Sequence, residues 1–490
     1  MAEEEGLTVK KSENFSEWYT QVVEKAELSD IRYNVKGFIV FRPWSVMSME
    51  LMYDLLEAEL RAKGHVPVWF PAVIPESNFT KEAEHVKGFS AQVFWITEAG
   101  TPAEKLEERL ALRPTSETAM YNMYATWIRS WRDLPMKLYQ RCQVWRYEGK
   151  ATRPFIRSRE FYWIESHNVF ATEDEMMAQV REDMEITEAV VHKRYAVPFL
   201  FFQRPQHDKF PGAVNTYAAD TMMPDGRALQ LPSTHALGQN FSKVFDIKFV
   251  DKDKNDQYAW QTCFGPAVSR ILAAVVSLHG DDRGLVMPPE IAPVQIIIVP
   301  IFDDSSKEKV LKEAESVKAK LEKQKQNQFR VELDARDEYT PGWKYNYWEL
   351  KGVPLRVEIG PQDVEKRQVV FVRRDTGEKK DVPESKLAVA AKATLRDVQR
   401  SLLKKADNDF KKSIFKANTM HGLKKILRER GGFVRVHWCG NVECADYIKA
   451  ETDGGVIRGT LFGDTTKHEK GRCVHCKKET DNVVYVAKQY

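Results

Sequence analysis

Two groups of side chains in this sequence have the types and spacing for chemistry. Cys439 and Cys444 are separated by four residues and Cys473 and Cys476 by two, with 28 residues between the pairs. Four thiolates in two close pairs suit a tetrahedral structural zinc site, closed to solvent and without catalytic use; the alternative is four unliganded thiols. The second group is RPTSET, Arg113 to Thr118, where two hydroxyls and a carboxylate follow a proline just before the apolar-spaced run AMYNMYATWIRSW. Glu117 either closes a helix or receives a ligand's positive charge. A capping box needs Ser or Thr followed three residues later by Glu or Gln, and neither Thr115 nor Ser116 meets that spacing. An acid in a first helical turn still favours the helix dipole, so both readings stand on local sequence alone.

The chain that must position these groups has 490 residues, enough for about two to four domains and more than one buried core. Hydrophobic residues make up 43% and charged residues 30%, which is the balance of a folded protein and excludes a disordered one. A net charge of +3 is too small to argue for nucleic acid, so any RNA contact has to come from local sites. The start, MAEEEGLTVKKSENFSEWY, is acidic and polar without the apolar core of a signal peptide, and no window approaches membrane-spanning length. The expected compartment is the cytosol, with no membrane partner. Six cysteines in so long a chain are not a disulfide framework. Cys142 and Cys263, in apolar strand contexts, read as buried thiols.

Met52, Leu55, Leu56 and Leu60 give helical spacing from Pro43 to a stop at Gly64, followed by the strand-like VPVWFPAVI. The runs MKLYQRCQVWRYE, SREFYWIE, RALQLPST and VFDIKFV mix alternation with aromatic and β-branched residues, predicting strands of a largely antiparallel sheet. Between them an amphipathic helix opens at Thr172 with Glu175 three residues on, a capping box. Prolines in LVMPPEIAPVQ mark a boundary. Beyond it VQIIIVPI, the stripe Val310, Ala314, Val317 and Leu321, then FRVEL, PLRVEIG and QVVFVRR read as a compact α/β unit with a mostly wound sheet, ending in a helix near Ala393. A lysine-rich helix and the cysteine-bearing segment complete the chain. No internal repeat is present.

GHVPVWFP, ending in Pro71 after a long helix, WRYE and RSREFYWIE, taken as lying in consecutive strands, and FGPAVSR, taken as opening a helix at Gly265, resemble the three signature motifs of class II aminoacyl-tRNA synthetases. The spacing Arg146-x-Glu148, then Arg157-x3-Phe161-x3-Glu165, carries the second. With RPTSET, STHALGQNFS and WELKGVPLRVEIGP, the resemblance extends over nearly the whole chain to the prolyl-tRNA synthetase family of the archaeal and eukaryotic type. It implies an α+β fold: a class II antiparallel sheet flanked by helices (residues 1–287), an α/β anticodon-binding domain (288–398) and a small α/β zinc-binding C-terminal domain (399–490).

The resemblance also implies an activity, ATP-dependent conversion of L-proline to prolyl-adenylate and transfer of proline to the 3′ end of its tRNA, and a division of labour. Activation brings a carboxylate against the α-phosphate of ATP, and arginine forks that bind both anions bidentately suit that task. On the family's pattern Arg146 bridges the α-phosphate and the substrate carboxylate, Arg157 and Arg270 take the outer phosphates, and Phe161 with Arg270 sandwiches the adenine. Glu148 accepts from the adenine amino group, and Gln230 is a further nucleotide contact. Proline is a charged secondary amine with two N–H donors, for which Thr115 and Glu117 supply acceptors. Trp163, His167, Phe210, Ser233 and His235 shape the pocket around its ring; His235 has the alternative of a satisfied core histidine. Mg2+ accompanies the ATP phosphates, with no protein ligand named. The threonyl relative uses zinc in its amino-acid pocket, and with no Cys/His cluster expected in the catalytic stretch, threonine is disfavoured as the substrate.

Glu349 and Arg356 are implied readers of the anticodon guanines, with Gln362 where a related sequence has lysine. Tyr490 is expected to fold back toward the active site. The helix before Pro71 is the expected surface of a homodimer. Some relatives carry an editing domain between the second and third motifs. The stretch from Ser166 to Phe264 is too short for it, so activation of alanine and cysteine is expected.

Overall fold

The computed structural model describes residues 6–79, 92–149, 152–323, 329–463 and 469–490. The acidic first five residues, part of the start read above, lie outside them.

The first long helix, Pro43–Ala62, starts with proline at its first position, where the missing N–H costs nothing. Met52, Leu56 and Leu60 are fully or almost fully buried along it. Gly64 ends it at φ +85°, a left-handed turn that lets His65 N–H reach Leu60 O at 3.0 Å. The segment after it is not one strand. Val66–Pro67 and Val73–Pro75 join two different sheets, because Pro67 and Pro71 each remove a ladder donor.

The largest sheet has eleven strands. From one edge they run Val66–Pro67, Met136–Trp145, Glu160–Phe170, Trp260–Gly265, Ala228–Gly238, Asn215–Met222 and Leu200–Gln203. They continue through Val456–Leu461, Val483–Ala487, Phe433–His437 and Ile414–Lys416. Every pairing is antiparallel except the two at the edges. The sheet predicted for the first half of the chain therefore runs on into the cysteine-bearing segment. That continuation was not expected from sequence. Gly459 makes the join: at φ +126° it brings the chain so close to Leu200–Gln203 that a Cβ would sit 2.0 Å from Gln203 O.

Helix Glu173–Thr187 packs on this sheet and is opened by the predicted box: Thr172 Oγ1 accepts from Glu175 N, and Glu175 Oε2 accepts from Thr172 N at 3.1 Å. Between Ser166 and Phe264, the described residues all go into this sheet, the elements packed on it, and a short Lys248–Val250/Asp256–Tyr258 hairpin. In VFDIKFV, Val244 and Phe245 end a helix, Asn240–Phe245, and left-handed Asp246 separates them from the strand.

Two motif placements differ from expectation. Arg146, Glu148 and Arg157 lie in the connection between the Met136–Trp145 and Glu160–Phe170 strands, where Arg146 N–H meets Arg159 O at 2.9 Å but the ladder has ended. Gly265 closes a strand rather than opening a helix. Pro266 interrupts the ladder and the helix is Val268–His279, with Arg270 in its first turn.

The second unit has strand order Val331–Leu333, Ile296–Pro300, Leu355–Ile359, Gln368–Arg373, Lys379–Pro383; the first two pairings are parallel and the last two antiparallel. Val310, Ala314, Val317 and Leu321 are all fully buried on helix Lys307–Glu322, each valine or leucine contributing about 1.5–3 kcal/mol. WEL belongs to helix Pro341–Leu350, not to a strand. Helix Leu387–Lys411 is continuous through position 398.

Candidate active site

Strand alternation collects the site on one sheet face. Cys263 is paired with His167 on one side and His235 on the other; Cys142 is paired with Trp163, and Gln140 with Glu165. Ser233 opposes Ala218 whereas Gln230 opposes Asp220, so two residues on one strand, Leu231 and Pro232, face one on its neighbour, Ala219. This bulge at Pro232 reverses the alternation and brings Gln230 to the face of Ser233 and His235.

The local question about Glu117 has a geometric answer. It is the first residue of helix Glu117–Trp127, Ser116 makes no side-chain cap, and the Glu117 carboxylate is turned inward at 1% exposure. Thr115 Oγ1 donates to its Oε2 at 2.5 Å and Cys263 Sγ to its Oε1 at 3.3 Å. Below it Glu165, equally buried, accepts from Ser116 N at 3.1 Å, Gln140 Nε2 at 2.8 Å and Cys142 Sγ at 3.3 Å, and from the Ser116 hydroxyl. Burial alone would raise the Glu165 pKa, but the hydrogen bond and charge of His167, with Ser116 and Gln140, hold it at about 2. His167 Nε2 is 3.2 Å from Glu165 Oε2 and Nδ1 is 3.1 Å from Tyr121 Oη. Burial opposes its charge, yet Glu165 and Glu117 raise its pKa above the ordinary value.

These contacts extend one expectation and correct another. Cys142 and Cys263 are buried among apolar side chains as predicted, and each also touches a buried carboxylate; burial and then Glu117 push the Cys263 thiol well above its ordinary pKa. The catalytic stretch also does hold a His/Cys grouping: ligand atoms of Glu117, His167 and Cys263 lie within 4.8 Å of one another. Each of the three also takes part in the hydrogen bonds just given, and an absent cluster therefore no longer tells against threonine.

The other expected pocket residues gather beside it. His235 Nδ1 is 2.9 Å from Thr216 Oγ1 and Nε2 is 3.2 Å from Ser233 Oγ, and Phe210 lies over it with centroids 4.7 Å apart. Burial, then Arg204, His167 and Arg146, lower the His235 pKa to about 3, so the ring is neutral. Trp163 lies against Gly265, where a Cβ would meet it at 2.9 Å. Its ring is 5.5 Å from Phe161.

Arg146 Nε donates to Pro114 O at 3.1 Å, and its guanidinium stands 5.1 Å over Phe161 and 5.9 Å from Trp163. Arg157 Nε is 3.7 Å from Glu148 Oε2, and Arg270 Nε donates to Ile156 O at 3.2 Å. Burial, then the neighbouring Arg146 and Arg157, lower the Arg270 pKa to about 10. Three gathered cations make a site for anions. Gln230 Oε1 accepts from Arg204 at 3.0 Å. Tyr490 donates from its hydroxyl to Asp225 at 2.6 Å and, with Arg153 and Arg157, lines a cavity of about 1330 Å³ that reaches Trp343 and Tyr347 of the second unit.

Sequence reading gave no role to Ser116, Gln140, Arg204 or Asp220, and none to Glu165 beyond its place in a motif. Alternation placed Gln140 and Glu165 on strands, but their meeting depends on register.

In the second unit Glu349, which lines the same cavity, and Arg356 are joined at 2.8 Å, and Arg356 also donates to Glu358 at 3.0 Å and lies 4.0 Å over Tyr345. Gln362 is in the short helix Pro361–Lys366. The sulfurs of Cys439, Cys444, Cys473 and Cys476 lie within 4.8 Å of one another, with Cys439 3.5 Å from Cys444 and 3.7 Å from Cys476. Zinc–sulfur bonds of about 2.3 Å put tetrahedral sulfurs roughly 3.8 Å apart, so the donor set fits that ion. The group is not closed, since Cys476 is exposed.

Three family profiles match the chain in order: tRNA synthetase class II core domain (G, H, P, S and T) over residues 94–279, anticodon binding domain over 295–394, and prolyl-tRNA synthetase, C-terminal, over 420–490. The chain is 51% identical to a proline–tRNA ligase of Thermofilum pendens, with 99% of this chain and 100% of the relative covered. It is 44% identical to one of Methanococcoides burtonii, with both chains covered in full. Its structure is similar to that of a prolyl-tRNA synthetase from Cryptosporidium parvum complexed with halofuginone and AMPPNP. There the TM-score is 0.92 at 36% identity, over 99% of this chain and 100% of that one.

Proposed function

The chain belongs to the prolyl-tRNA synthetase family of class II aminoacyl-tRNA synthetases, and from that premise we propose how its residues divide the work. The reaction is ATP-dependent activation of proline and its transfer to tRNA.

In our reading Glu117 and Thr115 receive the proline ammonium, and Glu165 holds the turn that carries them by binding Ser116. The observation that carries this is an inward carboxylate whose donors are a hydroxyl and a thiol, with no arginine or lysine salt bridge among the described residues to satisfy it. Trp163, Phe210, Ser233 and neutral His235 wall the ring, and His167 steadies Glu165. Arg146 bridges the substrate carboxylate and the α-phosphate. Arg157 and Arg270 bind the outer phosphates, and Glu148 with Phe161 takes the adenine, for which Arg146 leaves the ring it covers. No protein base is needed, because the substrate carboxylate is itself the nucleophile and preorganised charge stabilises the pentavalent phosphorus. Mg2+ bound with ATP would neutralise phosphate charge. An AMPPNP complex of a similar chain supports the nucleotide half of this reading.

Glu349 and Arg356 exchange their mutual pairing for guanine edges of the anticodon. Cys439, Cys444, Cys473 and Cys476 hold structural zinc. A homodimer in the cytoplasm completes the reading; it is supported by exposed apolar side chains after the first long helix, Val66, Trp69 and Val73, with Trp69 88% exposed. Among the described residues, no helix is long and apolar enough to cross a membrane.

Amino-acid-dependent ATP–pyrophosphate exchange without tRNA, run across the standard amino acids, tests the pocket. Proline is expected to be strongest, with alanine and cysteine measurable because a pocket loses only about 10- to 200-fold per missing methylene. Strict rejection of both would refute the undefended pocket, and no exchange with any amino acid would refute the residue assignment.

A further inference from the structure

Three buried side chains from separate parts of the chain meet beside Gln230. Arg204 donates from both terminal nitrogens to Asp220, at 2.9 and 2.8 Å, and Arg458 Nε donates to the same carboxylate at 2.7 Å. The three are 4%, 0% and 2% exposed. Two cations share one anion here, and carbonyl oxygens take up the excess: Arg204 also donates to Arg458 O at 2.8 Å and to Gln230 Oε1 at 3.0 Å, while Arg458 also donates to Gln489 Oε1.

A guanidinium has five donors and no acceptor. The Gln230 amide therefore has to turn its oxygen to Arg204, which leaves its NH2 as the end offered to a ligand. Without that partner the two ends of the amide are interchangeable. Arg458 comes from the cysteine-bearing segment, and two backbone joins fix it against the same part of the sheet. Thr460 pairs with Gln203 through the Gly459 approach, and Ala228 N–H donates to Lys488 O at 2.7 Å, two residues before Gln230.

We propose that Arg458 is a positioning residue for nucleotide binding, acting through Asp220 and Arg204 to fix Gln230 as a hydrogen-bond donor. The segment that carries the four cysteines thereby contributes to adenylate formation. The proposal rests on the reading of Gln230 as a nucleotide contact. Arg458 is the member to change, because its loss leaves Asp220 paired with Arg204, whereas loss of Asp220 strands two buried cations.

The test compares full-length wild type, Arg458→Ala, Arg458→Lys, Gln230→Ala and the Arg458→Ala/Gln230→Ala double variant. Pyrophosphate exchange is measured with ATP and proline varied in turn, and active sites are counted by single-turnover adenylate formation so that misfolded protein does not enter the constants. Arg458→Ala is expected to raise KM for ATP about tenfold and to leave KM for proline within about twofold. The double variant is expected to be no worse than Gln230→Ala, and Arg458→Lys to recover part of the loss. A fall in active-site count with KM for ATP unchanged would reduce Arg458 to a structural role, and multiplicative effects in the double variant would remove the route through Gln230. If Gln230→Ala leaves KM for ATP unchanged, the nucleotide reading of Gln230 fails and the proposal with it. If only the Arg458 variants are silent, the proposal alone fails.

Discussion

Cys263 Sγ lies 3.3 Å from Glu117 Oε1, a thiol from the strand before the Val268–His279 helix donating to a carboxylate 146 positions earlier. The contact is weak, and among the described residues the carboxylate's other hydrogen-bond partner is the Thr115 hydroxyl. A positively charged amine brought to Glu117 replaces a thiol contact with a charge-assisted one, which is a gain in the bound state.

Replacing Glu117 by Gln keeps shape and removes charge. KM for proline in pyrophosphate exchange is expected to rise about 10- to 100-fold, while KM for ATP moves little. Cys263→Ser keeps a donor, and KM for proline should stay within about threefold of wild type. Equal proline KM in wild type and Glu117→Gln would take the ammonium away from Glu117.

Asp183 gives the fold a pH dependence that can be traced to one group. It is fully buried, and burial raises its pKa from 3.8 to about 7 against the opposing hydrogen bonds of Thr234 Oγ1, at 2.6 Å, and Gln179 Nε2, at 2.8 Å. The native state thus keeps a proton that the unfolded chain releases, and stability falls as pH rises from about 4 to about 7, then levels off. Asp183→Asn should remove this part of the slope, a difference on the order of a few kcal/mol between the ends of the window. Denaturant midpoints of both proteins across that range check it; parallel curves would assign the slope elsewhere.

The cysteine group makes a prediction with a direct metal readout. Gently purified protein should carry about one zinc per chain, and Cys473→Ser, at a fully buried position, should lose most of it. Chelation should also lower thermal stability, because strands of the same segment complete the eleven-stranded sheet. Metal-free protein of unchanged stability would leave four thiols without an ion.

Much of this protein was legible in the sequence. The Thr172–Glu175 cap, the stripe on Lys307–Glu322 and the stop at Gly64 follow from local spacing, because hydrogen bonds and burial within a helix depend on neighbours a few residues away. The motif residues could be named because their types answer the charges of the reaction. The failure of Thr115 and Ser116 to form a capping box weakened the simple cap reading of Glu117 but left both readings standing. Placement was harder: Arg146, Glu148 and Arg157 read as strand residues from alternation, which continues past the point where the partner strand stops.

What only the tertiary structure decided is whatever depends on register and on long-range approach. Glu165 beneath Ser116 and Cys263 against Glu117 join strands to the start of a helix, and Gln230 is turned to the face of His235 by one bulge between strands; a shift of one residue in the strand would abolish each of them. The join at Gly459 and the Arg204–Asp220–Arg458 group link segments more than 200 positions apart, beyond the reach of any local pattern. The sequence by itself determined the elements and the chemistry available; the folded chain decided which buried charges meet, because pairing is what makes their burial tolerable.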